Sequence, residues 1–191
     1  MSKVYYHGSI YPCITKLEAC SILHQTNRRV VYLTDNVPYA LYYIWDENIT
    51  GYRGKHVTGW INGGTAYYEE QFPDQLKAFY QGVSGYLYVI CHNEDIQPLE
   101  NRDGMYYSLI SMKVAEVMYI PDVYEELLKY ESMGLFRVLR YNEQSENRQN
   151  ELIELIASAI RRSDFFKNDE SRANFMKKYF RKAWEKAEQC S

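Results

Sequence analysis

An α+β fold is what this sequence predicts, and three observations carry the prediction. Short β-type runs such as "RRVVYLT" and "GYLYVICH" are bounded by turn residues. Between them lie segments whose apolar residues recur at helical spacing. Beyond Tyr141 the pattern becomes wholly helical after the polar stretch "NEQSENRQN". The chain therefore divides into an α+β body over residues 1–141 and a C-terminal helical extension over 142–191 packed on it. A length of 191 residues suits one domain with such an appendage.

Residues 3–7 read as a first strand that stops on His7 and Gly8. Tyr11-Pro12 marks a turn, and "ITKLEACSIL" is a short helical candidate. The run over residues 28–34 is a strand that ends at Asp35-Asn36, either of which can cap the following helix "VPYALYYIWDEN" with Pro38 in its first turn. Ala40, Tyr43 and Ile44 fall on one face of that helix, with Tyr39 and Tyr42 beside it. "KHVTGWING" and "TAYYEE" flank Gly63-Gly64 and predict a hairpin. "DQLKAFYQGV" is a helix with Leu76, Phe79 and Tyr80 inward, and "GYLYVICH" is the clearest buried strand of the middle region. "KVAEVMYI" is another strand, closed by Pro121. Asp122 caps "VYEELLKYESMG", with Val123, Leu127 and Leu128 inward and Gly134 as its stop. "LFRVLRY" is the last strand. In the extension, Leu152, Ile153, Leu155, Ile156, Ala159 and Ile160 form an apolar stripe, and Phe175, Met176, Tyr179, Phe180 and Trp184 repeat the pattern.

A formal charge of -3 gives no global argument for nucleic acid. The charge is uneven: residues 161–188 hold nine Lys or Arg against five Asp or Glu, a local +4 that leaves -7 elsewhere. That excess suits an acidic partner, or the acidic body of the same chain. Twenty tyrosines against seven phenylalanines favour half-buried strands and ring-stacking pockets. Cys13, Cys20, Cys91 and Cys190 form no CxxC pair, which points to reduced thiols and a cytoplasmic location. "MSKVYYHGSI" reads as a strand rather than a leader, and no apolar run reaches the ~20 residues of a membrane span. Neither a phosphate-binding GxxxxGK[ST] nor a strand-linked GxGxxG is present. Cys91-His92 lacks a second pair at zinc-like spacing, so no metal is expected.

Three segments stand together in chain order. "YYHGS" offers His7-Gly8-Ser9. "VVYLTDNVPYALYY" offers Tyr32 on a strand and then Ala40 and Tyr42 on a helix. "KVAEVMYI" sets Glu116 in an apolar run, where a carboxylate requires a partner or a cleft. In this order the segments resemble the His-Tyr-Glu branch of the ADP-ribosyltransferase superfamily, which includes diphtheria-type toxins, poly(ADP-ribose) polymerases and DarT-like enzymes. That resemblance implies a split mixed β-sheet core, NAD as substrate and no metal. It implies that His7 bonds a ribose hydroxyl, Gly8 presents its backbone to the nicotinamide carboxamide, and Ser9 lines the same region. Tyr32 and Tyr42 would sandwich the nicotinamide ring. Glu116 would bond the ribose 2′-hydroxyl and stabilise the cationic ribosyl centre left by departing nicotinamide, as carboxylates do in glycoside cleavage.

The sequence departs from the family in one respect. The polymerases place a small hydroxyl residue before the alanine of Ala-x-Tyr, where this chain has Tyr39, so Ser9 or Thr34 is the substitute. Glu94 in "CHNED" rivals Glu116 as the third-motif residue. The acceptor (protein, nucleic acid or small molecule) is left open. A catalytically inactive nucleotide-binding or protein-interaction module on the same fold is the alternative function. RNA 2′-phosphotransfer is disfavoured, because its pocket is richer in Arg and His.

Overall fold

The computed structural model describes residues 3–23 and 26–189. Among these residues twelve strands and seven α-helices follow in chain order. They are β1 (Val4–Ser9), β2 (Lys16–Leu17), β3 (Ser21–Ile22), β4 (Arg29–Thr34), α1 (Val37–Leu41), α2 (Glu47–Thr50), β5 (Gly59–Asn62), β6 (Thr65–Glu69), α3 (Gln75–Tyr80) and β7 (Gly85–Cys91). After these come β8 (Ile96–Pro98), β9 (Met105–Ser108), β10 (Met112–Lys113), β11 (Glu116–Ile120), α4 (Val123–Ser132), β12 (Phe136–Leu139), α5 (Glu146–Arg162), α6 (Glu170–Tyr179) and α7 (Arg181–Gln189). The α+β class is as expected.

The main sheet runs β11-β7-β1-β4-β9-β8, with β3 also on β4. All its pairings are antiparallel. A second sheet, β12-β6-β5, combines one antiparallel and one parallel pairing, and β10 with β2 makes a third. Alternation along the strands divides the main sheet's side chains between two cores. Tyr5, Val31, Leu33 and Ile90 pack with Leu17 and Met112 of the two-stranded β2–β10 sheet on one side. On the other side lies the large core, where Ala40 and Ile44 meet Leu87, Tyr68 and Phe136.

Several expectations are corrected. β1 does not stop at His7 but runs through Gly8 to Ser9, paired residue for residue with β7. The candidate helix in "ITKLEACSIL" is instead β2 and β3, because Leu17 pairs with Met112 and Ser21 with Val30. The helix from Val37 ends at Leu41, and α2 starts separately with Asp46 as its N-cap. Strands β8 and β9 occupy a region with no assignment from sequence. Leu155, expected inward, is exposed.

Caps fall where the local chemistry directs. Asn36 Oδ1 accepts the Tyr39 N–H at 2.9 Å, and Asp122 Oδ1 accepts the Glu125 N–H at 3.1 Å. Glu70 is buried, yet its two carboxylate oxygens each accept a backbone N–H, from Leu76 and Tyr141, both at 3.1 Å. Those bonds replace lost hydration and tie the start of α3 to the end of β12.

The C-terminal helices share the large core rather than resting on its surface. Phe175, Phe180 and Trp184 are buried in the same cluster as Trp45 and Phe79. They also hold the connection between α2 and β5. Phe175 packs on Tyr52 with ring centroids 4.9 Å apart, and Phe180 packs on His56 at the same distance. Ser171 Oγ donates to the Gly51 carbonyl at 3.4 Å.

Gly8 is the tightest approach of sheet and helix. A Cβ there would collide with the Ala40 carbonyl oxygen of α1 and meet Ile44 at 3.1 Å. Replacing Gly8 with Ala should therefore cost about 1–3 kcal/mol, the usual range for overpacking a filled core. Chemical denaturation of the Gly8→Ala variant checks this, and an unchanged midpoint would contradict the packing described.

Candidate functional site

Strands β1 and β4 pair at one position, Tyr6 opposite Thr34, and then separate. Beyond it the lower half of β4 is taken by β3. A cavity of about 230 Å³ opens at this divergence. Its walls include His7, Tyr32, Tyr39, Tyr43, Lys55 and Met105, with Gly8 and Ala40 at the base. It continues into a groove of about 970 Å³ that shares Tyr32, Tyr39, Tyr43 and Met105. The far side of the groove is the turn between β8 and β9, with Glu100, Asn101 and Arg102. The inner cavity has room for one aromatic heterocycle, and the groove reaches the size range of whole-ligand sites.

His7 bridges the open seam. Its Nδ1 lies 3.0 Å from the Tyr32 carbonyl oxygen, so Nδ1 carries the proton and donates. Burial holds the imidazole below its ordinary 6.5, against the opposing pull of that bond, and the Lys55 charge lowers it further. His7 is therefore neutral, and its Nε2 is a hydrogen-bond acceptor.

The other expected residues separate into two groups. Tyr32, Thr34 and Tyr39 line the cavity with His7 and Gly8. The Tyr32 hydroxyl donates to the Ile22 carbonyl at 3.1 Å, which fixes its ring across the seam. Thr34 commits its proton to the Gly104 carbonyl at 2.6 Å and also accepts the Asn36 N–H, so it has no proton for a carboxamide oxygen. Gly8 owes its lack of a side chain to α1, whose Ala40 carbonyl occupies that space. Ser9 does not line the cavity; its Oγ accepts the Tyr11 N–H at 3.2 Å.

Tyr42 is not a partner for Tyr32. It is fully buried among Tyr39, Tyr68, Tyr80 and Phe136, and its hydroxyl donates to the Tyr67 carbonyl at 3.0 Å. Burial pushes its phenol well up, so it stays protonated. The ring that reaches the cavity is Tyr43, 5.8 Å from Tyr39. Its phenol too is raised, by burial first and by Tyr39 second. Residues 39 and 43 stand four apart, the spacing that aligns side chains on a helical turn, and that signal was available in the sequence.

Glu116 lies outside the site. It starts β11, the edge strand, and faces solvent. It sits opposite Val89, which in turn sits opposite Tyr6, so a whole strand separates it from β1, about 10 Å at sheet spacing. Its apolar neighbours Val117, Met118 and Tyr119 are exposed as well, which removes the premise that it was buried. Glu94 is exposed in the turn before β8 and lines neither cavity nor groove. The carboxylate that does line the groove is Glu100. Lys55, Glu100 and Arg102 carry no periodicity, since all three sit on connections that only the fold brings to the site.

No protein-family model, curated protein or solved structure matches this chain. Among the described residues no group of three or more His, Cys, Asp or Glu side chains could hold a metal ion, and no helix is long and apolar enough to cross a membrane.

His56 is also buried, with Nε2 2.8 Å from Gln71 Oε1, and burial lowers it too. Both imidazoles take a proton more readily in the unfolded chain. Their contribution to stability is therefore complete above about pH 6.5 and is lost as pH falls through and below that value. A denaturation series from pH 7.5 to 5 should show falling stability, with a shallower slope in His7→Gln. Imidazole resonances of His7 titrating at or above 6.5 would refute its neutral state.

Proposed function

We propose that the cavity and groove bind NAD and that the protein transfers or hydrolyses its ADP-ribosyl group. The observation that supports this reading best is the seam between β1 and β4. It sets an aromatic-walled space for one ring, with His7 at its edge, at the head of a groove sized for the rest of a dinucleotide. Tyr43 takes the stacking role beside Tyr32. The Nε2 of His7 accepts from a ribose hydroxyl.

In the reaction the bond between the nicotinamide nitrogen and the ribose anomeric carbon breaks, and its electron pair leaves with nicotinamide. The anomeric carbon then bonds to water or to an acceptor oxygen or nitrogen, whose proton passes to solvent or a nearby base. Positive charge builds on the ribose as the ring departs, so a carboxylate facing that charge lowers the barrier. In this reading Glu100 serves, and Glu116 has no part.

Calorimetric titration with NAD, followed by chromatographic detection of nicotinamide, tests the proposal. Glu100→Gln should cut release at least 100-fold while NAD affinity changes only a few-fold. Glu116→Gln should match the unsubstituted protein. The position of Glu116 outside the site favours a second reading, an inactive nucleotide-binding module, and NAD binding without any release would establish it. Absence of NAD binding would overturn both.

A further inference from the structure

Lys55 brings a cationic side chain to a cavity walled mainly by aromatic and apolar residues. It belongs to the connection between α2 and β5, and its ammonium stands 5.5 Å from the Tyr43 ring centroid. Lys55 is exposed to solvent on one side, and the part that lines the cavity is desolvated enough to lower its proton affinity, opposed only in part by nearby Cys20. None of the ion pairs among the described residues includes it. Its ammonium therefore stands at the cavity wall beside the Tyr43 ring with no carboxylate of the described residues bound to it, accessible to an anionic group of a ligand. The connection is held in place from behind, by Phe175 on Tyr52 and Phe180 on His56. Nor does Thr34 have a proton left for a carboxamide oxygen, and Ser9 is off the cavity.

We infer that Lys55 is an oxyanion anchor, so that the ligand places a carboxylate or phosphate oxygen against its ammonium beside the ring held by Tyr32 and Tyr43. This deepens the reading of the cavity as a ring site, and rests on it. A carboxylate on the ring itself and a phosphate farther along the ligand present the same chemistry to Lys55. They differ in what a small probe must contain.

The test compares the full chain with Lys55→Met, which keeps the apolar stem and removes the charge. Calorimetry uses nicotinate, nicotinamide and ADP-ribose as separate probes, with thermal melts to confirm that both proteins are folded. A ring carboxylate predicts at least tenfold preference for nicotinate over nicotinamide, erased in Lys55→Met. A phosphate predicts that nicotinate and nicotinamide bind alike while ADP-ribose affinity falls at least tenfold in the variant. Either pattern should weaken as salt rises. Unchanged affinities in a folded Lys55→Met protein, or no binding of any probe by the parent, would overturn the inference. Release of nicotinamide from NAD with the same KM in both proteins would sink the anchor and leave the NAD reading intact. Lys55-dependent binding of nicotinate without any binding of NAD would do the reverse.

Discussion

The contact between Gly8 and the Ala40 carbonyl is the constraint on which the site depends. It lets α1 lie directly on β1, closer than any side chain would permit. With the helix seated there, the turn that follows has little freedom. Tyr42 goes into the core against Phe136, and Tyr43 is left to wall the cavity beside Tyr39. A helix lifted by one methyl group would leave Ile44 off Leu87 and spoil the floor of the same space. Packing and site geometry here are one feature described from two sides.

Opening a sheet has its own cost, because separated strands leave backbone groups without ladder partners. The protein meets that cost locally. β3 takes the lower part of β4, and the His7 imidazole takes the Tyr32 carbonyl. The bond does two things at once: it satisfies a backbone acceptor, and it fixes the tautomer that leaves Nε2 as an acceptor. Burial favours the neutral forms of the His7 imidazole and the Tyr43 phenol, while Lys55 brings a cation to the wall. The cavity is thus a weakly polar enclosure with one cation, where electrostatic interactions act at lower effective dielectric than in water.

Much of this was legible in the sequence where a local rule had no competitor. The hairpin at Gly63-Gly64, the buried strand β7 and the Asp122 cap of α4 follow from turn chemistry, β-type runs and capping. Misreadings occurred where distant pairing decided. "ITKLEACSIL" satisfies helical spacing, yet Leu17 finds Met112 across the fold and extends instead. "MYYS" of β9 has little signal of its own and becomes a strand by lying along Tyr32. Glu116 stands in an apolar run and is nonetheless exposed, because β11 is an edge strand whose residues 116–119 face solvent. His7, Tyr32, Thr34 and Tyr39 line the cavity from strands and a helix whose existence, though not every boundary, is legible in the sequence. Lys55 and Glu100, which line the cavity and the groove, sit on connections that have no period to read.

The grip of α6 on the connection between α2 and β5 has a consequence for the order in which the protein is made. All twelve strands listed above and α1 precede α6 in the chain. The wall bearing Lys55 still lacks its backing then, since Phe175 and Phe180 are synthesised far later. The residues that line the cavity thus precede in the chain the residues that back its Lys55 wall. Completion of the cavity wall in this way waits on α6, rather than on the strands that carry most of the lining residues.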